Sequence, residues 1–123
     1  MAEDRKTILV VDDAPENIRV LTAILGPGYR VKAATSGEKA LAMCAVDPLP
    51  DLVLLDVVMP GIDGYEVCRR LKADARTAGV PVIFVTGTAD EGDRARAGSL
   101  GAADFFVKPL DPAAVLASVA AHL

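Results

Sequence analysis

At 123 residues the chain is long enough for one domain with a single core, and too short for that core plus an independent effector domain. With 52% apolar and 24% charged residues, 4% aromatics and no Trp, it is a globular chain whose core must come mainly from Val, Leu, Ile and Ala. A formal net charge of -4 without a Lys/Arg cluster argues against direct nucleic-acid binding, which needs clustered cations to neutralise phosphates.

The first six residues lead directly into a short apolar stretch without the longer hydrophobic region of a signal peptide. No apolar run approaches the roughly 20 residues of a bilayer span, so no membrane role and a cytoplasmic location are expected. Ile8–Val11 is then the first predicted strand, followed by helical spacing at Ile18, Leu21, Ala23, Ile24 and Leu25. Tyr29–Ala34 is a weaker strand, and Ser36 is placed to cap a helix carrying Ala40, Leu41 and Cys44. Leu52–Leu55 is the third strand. Asp63 with Glu66 forms a capping-box pattern ahead of Val67, Cys68 and Leu71.

Val82–Val85 is the fourth strand. The helix expected over Ala89–Leu100 contains Gly92 and Gly98 and offers mostly Ala as apolar surface, which predicts a loosely held element. Phe105–Val107 is the fifth strand, and Asp111-Pro112 sets a cap residue before a proline whose missing N–H costs nothing at a first helical position. Cys44 and Cys68 fall within helical patterns and outside any CxxC pair, so buried free thiols are expected.

Short strands apolar at every position are covered on both faces, and five β-α repeats fit a doubly wound parallel α/β sheet. In such sheets, sites form at the carboxyl ends of the strands. There the sequence places Asp12-Asp13, Asp56, Thr86 and Lys108, and the strand order 2-1-3-4-5 would let them converge. An Asp after a strand is often only a helix cap, but capping does not require carboxylates, a hydroxyl and an ammonium at four strand ends together. Three close carboxylates call for a divalent cation. All-oxygen ligation favours magnesium or manganese over zinc, and the single histidine, His122, is expected at the surface. A carboxylate in this setting can accept a phosphoryl group.

These stretches, Ile8 through Asp13, Leu54 through Gly64, Val85-Thr86 and Gly101 through Pro109, resemble the response-regulator receiver family over roughly Lys6 to the C-terminus. The resemblance implies a flavodoxin-like (βα)5 fold for a single receiver domain over 1–123. It implies Asp56 as phosphoacceptor and magnesium held by Asp13, Asp56 and the Val58 backbone carbonyl, with waters, one positioned by Asp12. Lys108 would contact the phosphoryl group; Thr86 and Phe105 would form the switch, with Phe105 lacking the hydroxyl of the commoner Tyr. A cis Lys108-Pro109 bond is implied, and Pro60, Gly61 and Gly64 are scaffold, the glycines permitting unusual backbone angles.

The implied donors are a sensor histidine kinase or a histidine phosphotransfer protein. The implied readout is the face of the fourth helix, fifth strand and fifth helix, acting on an output domain or protein or through a phosphorylation-dependent homodimer. Val58 and Thr88 sit where the family tunes hydrolysis. The Asp-Asp-Ala-Pro-Glu-Asn opening resembles receivers attached to cyclic-dinucleotide enzymes or hybrid kinases, so the chain can be a piece of a longer protein.

Three rivals remain. A metal-dependent phosphohydrolase needs an acid two residues after its nucleophile, where this chain has Val58. A flavodoxin-like nucleotide or flavin binder needs a glycine loop after the first strand, which is lacking. An unphosphorylated docking module would not need the five site residues.

Overall fold

The computed structural model describes residues 5–87 and 91–123. Five strands alternate with five helices: β1 Thr7–Val11, α1 Pro15–Leu25, β2 Arg30–Ala34, α2 Gly37–Cys44, β3 Leu52–Asp56, α3 Gly64–Ala73, β4 Val82–Thr86, α4 Glu91–Ser99, β5 Asp104–Val107 and α5 Pro112–Ala121. All strand pairs are parallel, in the order β2-β1-β3-β4-β5, as the β-α alternation predicts.

Side-chain alternation along the strands divides the core in two. Leu9, Val11, Val53, Leu55, Val82 and Phe84 face one way, onto α2, α3 and α4. Ile8, Val10, Leu52, Leu54, Ile83 and Val85 face the other, onto Leu21 and Leu25 of α1 and Val115 and Val119 of α5. The three central strands are therefore apolar at every position but one end, Thr7, Asp56 or Thr86, because both faces are covered, while the edge strand β2 buries only Ala34. Ala23, which the spacing assigns to the apolar stripe of α1, is exposed, because Leu21 and Leu25 complete the contact with the sheet.

Local signals act at the helix starts. Ser36 accepts from the Lys39 N–H, Asp63 from Glu66 and Asp111 from Ala113. The capping box at Asp63 is half formed. Glu66 points instead along its helix to Arg69 and Arg70, which hold its carboxyl down at about 2. Cys44 and Cys68 are buried free thiols, and burial raises both above their ordinary values.

The fourth helix runs Glu91–Ser99; the expected start at Ala89 and Asp90, and Thr88, which the resemblance links to the rate of hydrolysis, lie outside the described residues. Its buried apolar contribution among the described residues is Ala97, with Leu100 packed beside it. Polar contacts supplement this attachment. Asp93 accepts a 3.0 Å hydrogen bond from the Tyr65 hydroxyl, Arg96 lies 4.2 Å from the Tyr65 ring centroid, and Arg94 lies 5.2 Å from that of Phe105. Tyr65, Phe84 and Phe105 form a row of tilted rings beneath, with neighbouring centroids 5.4 and 6.2 Å apart. Burial and the bond to Asp93 push the Tyr65 phenol up to about 12. No helix among the described residues is long and apolar enough to cross a membrane.

Candidate functional site

Because the sheet is parallel, the carboxyl ends of β1, β3, β4 and β5 open on one edge. Val11 pairs with Leu55, so Asp12 emerges beside Asp56; Asp56 pairs with Val85, and Thr86 pairs with Val107, after which comes Lys108. Asp56 and Thr86 are the last residues of their strands rather than the first beyond them. Strand alternation gives Asp56 the parity of the α1–α5 face. Thr86 has the parity of Phe84 and Phe105 on the other face.

Carboxylate oxygens of Asp12, Asp13 and Asp56 lie within 4.8 Å of one another. Asp12 is 2% and Asp56 7% exposed, while Asp13 faces solvent. Lys108 reaches over them with its ammonium 3.0 Å from Asp12 Oδ2 and 3.7 Å from Asp56 Oδ2. Its backbone N–H donates to the Thr86 carbonyl at 2.7 Å, and the Lys108-Pro109 peptide is cis, as is Asp47-Pro48, which the sequence did not suggest. Val58 donates its N–H to Asp56 Oδ1 at 3.3 Å while its side chain is 68% exposed. The four charged site residues are thus brought together, with buried Thr86 at the adjoining strand end. Phe105 is buried against Phe84 in the second layer of rings.

Of the two scaffold glycines only one has an unusual backbone angle. Gly61 has φ +78°, a left-handed conformation suited to glycine, but Gly64 does not have positive φ. Gly64 is required for space, since a Cβ there would stand 2.1 Å from the Asp56 carbonyl oxygen. Asn17, which sequence reasoning passed over, sits in the first turn of α1 with its side-chain amide 3.4 Å from Asp12 Oδ1. The usable signal was Ala14, an N-cap without a capping side chain, three residues before an amide.

Burial raises the Asp56 carboxyl above its ordinary value and Asp12 adds to that, against the lowering effects of Lys108 and the Val58 N–H. The folded protein therefore holds this proton more tightly than the unfolded chain. Stability contributed by the site falls as pH rises from the ordinary value of 3.8 through the raised folded value. Asp56→Asn, which removes the buried charge, is expected to melt higher than the wild type at pH 7 in metal-free buffer, by roughly 3–6 °C, the shift that about 1 kcal/mol produces at this size. The difference should close below the ordinary carboxylate range. A calorimetric pH series in which the two proteins melt alike at pH 7 would mean that Lys108 already balances the acids.

The donor set is oxygen-only and acidic, which fits magnesium or manganese and offers zinc neither a thiolate nor an imidazole. Comparison with known proteins agrees with this geometry. Residues 8–120 match the response regulator receiver domain family. The chain is 49% identical over 113 residues to the response regulator PleD of Caulobacter vibrioides, covering 91% of this chain but 25% of PleD. It is 39% identical to the protein PilH of Pseudomonas aeruginosa, covering 94% of this chain and 96% of PilH. The chemotaxis protein CheY4 of Vibrio cholerae superposes with a TM-score of 0.89 at 25% identity, over 97% of this chain and 99% of that one. Fold, acidic strand ends and sequence similarity agree: the chain belongs to the response regulator receiver domain family, a family of signalling domains.

Proposed function

We propose that Asp56 accepts a phosphoryl group from a phosphohistidine on a sensor kinase or histidine phosphotransfer protein, in a cytoplasmic, magnesium-dependent reaction that this domain catalyses on itself. The observation that carries the proposal is a buried strand-end carboxylate whose Oδ2 lies 3.7 Å from Lys108, next to two further acids. An Asp56 oxygen attacks phosphorus, the O–P bond forms as the N–P bond breaks, and the imidazole leaves and takes up a proton. Lys108 lies beside the acceptor, where its charge offsets that on the transferring oxygens. The Val58 N–H holds the acceptor side chain in its rotamer.

Asp13, Asp56 and the Val58 carbonyl would hold the magnesium ion, or manganese in its place, with Asp12 positioning a bound water. When bound, the ion supplies positive charge to the phosphoryl oxygens. The exposed apolar side chain of Val58 supplies no acid or base, which favours self-phosphorylation over turnover of phosphate esters.

The readout we assign to α4, β5 and α5. A phosphoryl group adds about -1.5 to -2 charges beside Thr86 and Lys108. Thr86 shares a sheet face with Phe84 and Phe105, so its movement would be felt as packing by a ring that has no hydroxyl of its own. We take 1–123 as one receiver unit whose altered face acts on an output domain or protein, or on a second copy. The whole protein's activity, where the chain is part of one as long as PleD, belongs to those partners.

Incubating the domain with magnesium and acetyl phosphate should add about 80 Da to the intact mass, with no adduct when magnesium is chelated or in Asp56→Asn. No adduct in rapidly quenched samples of the folded wild type would favour a docking module. An adduct persisting in the variant would identify a different acceptor.

A further inference from the structure

We propose that Asn17 is a positioning residue for this site, acting through Asp12; the inference rests on the metal- and phosphoryl-binding reading above. Asp12 is held at both oxygens. Oδ2 accepts from Lys108 at 3.0 Å, and Oδ1 accepts from the Ala14 N–H at 2.9 Å and from the Asn17 side-chain amide at 3.4 Å. Burial of this carboxylate makes its orientation a matter of protein donors, and each donor that engages it narrows the rotamers open to it.

The position of Asn17 follows from the start of α1. Ala14 is the N-cap and brings no side-chain oxygen, Pro15 follows, and Asn17 stands third in the helix with its N–H donating to the Ala14 carbonyl at 3.1 Å. A side chain at this third position ordinarily reaches back to the exposed N-cap backbone, as Glu or Gln does in a capping box. Here it reaches back to the Asp12 carboxylate. The residue type matters, because an amide donates to the carboxylate without adding a fourth negative charge to the acidic cluster. A Glu or Asp in its place would repel the group it has to hold.

Asn17 also lines, with Lys108, Pro109, Val20, Leu21 and Ile24, a groove of about 260 Å³ beside the acids. It therefore stands between the acidic pocket and the open surface along α1, with its amide turned to the pocket side.

The test is a magnesium titration of the amide spectrum in wild type, Asn17→Leu, Asp12→Ala and the double variant, with thermal unfolding of each as a check on folding. Groups just behind a metal's own ligands typically contribute 10- to 100-fold in metal affinity, and Asp12, which would position a metal-bound water, is such a group. Asn17 stands one step further out, with Ala14 and Lys108 still holding Asp12, so Asn17→Leu is expected below that range, a loss of about 5-fold. In the Asp12→Ala background the same substitution should change affinity by less than about 2-fold, because the group through which Asn17 acts is gone.

An equal loss in both backgrounds, or none in either, overturns the positioning role and leaves the receiver reading intact, since wild type still binds. Wild type that shows no magnesium-dependent shifts at Asp13, Asp56 or Lys108 overturns both. If Asn17→Leu unfolds, Asn17→Ala at the same half-buried position reads the same cycle.

Discussion

Gly64→Ala is expected to lose about 3 kcal/mol of stability or more, the upper end for forcing an atom into filled space. The added Cβ would lie 2.1 Å from the Asp56 carbonyl oxygen and 2.9 Å from both the Asp56 carbonyl carbon and Val57 Cα. All three are backbone atoms, so no rotamer change relieves the clash. The segment is also pinned, because the Gly64 N–H donates to the Val57 carbonyl at 2.8 Å. Relief requires moving α3 away from β3 or shifting the end of the strand that presents the acceptor. Denaturant unfolding should show the loss, with Gly79→Ala as the control, since a Cβ at Gly79 meets nothing within 4 Å and should stay within about 0.5 kcal/mol of wild type. The folded fraction of Gly64→Ala should also phosphorylate more slowly. A loss below about 1 kcal/mol would show that the loop yields without disturbing its neighbours.

Lys108→Met should slow phosphorylation by acetyl phosphate by about 10²- to 10³-fold, the range for removing one preorganised electrostatic partner of a transition state. Methionine keeps much of the unbranched stem and removes the charge. The effect has two sources. The ammonium lies near the oxygens that gain charge during transfer, and it neutralises Asp12 and Asp56 before transfer. Without it the Asp56 carboxyl loses the leading influence that holds it down in the metal-free protein and should titrate still higher there, which a metal-free pH titration followed at the Asp56 amide would show. Lys108→Arg should not restore the rate fully, since a planar fork does not reproduce a compact ammonium in a pocket this close. A rate unchanged in Lys108→Met would confine the lysine to holding Asp12.

The fold was legible because β1, β3 and β4 are covered on both faces, leaving uninterrupted apolar runs that end in charged or hydroxyl residues. Asp12, Asp13, Asp56 and Thr86 could be picked out from that punctuation and Lys108 from the end of the weaker β5 run, and the structure assembles the four charged ones within a few ångströms. Close approaches between segments were not legible. Nothing in a Gly-Tyr-Glu stretch says that the carbonyl of Asp56 occupies the space of a side chain. Likewise the reach of Asn17 to Asp12 depends on Ala14 failing to cap, a contact decided by what is missing nearby. Ala23 was misplaced because helical spacing marks a face without marking its width. The attachment of α4 was legible only as a shortage of apolar residues; the rings that receive it lie on α3, β4 and β5.

That attachment gives α4 a thermodynamic character unlike that of its neighbours. Of its own described side chains α4 buries only Ala97, so detaching it uncovers one face of the Tyr65 and Phe105 rings but no apolar stripe of the helix itself, and the step carries a smaller heat-capacity change and denaturant slope than detaching α1 or α3 would. Urea and cooling, which act on buried apolar area, shift this equilibrium weakly, whereas ionic strength, which screens exposed charges, shifts it more. The element we assign to reporting the phosphoryl group is thus tuned by charge, the same kind of signal it would receive.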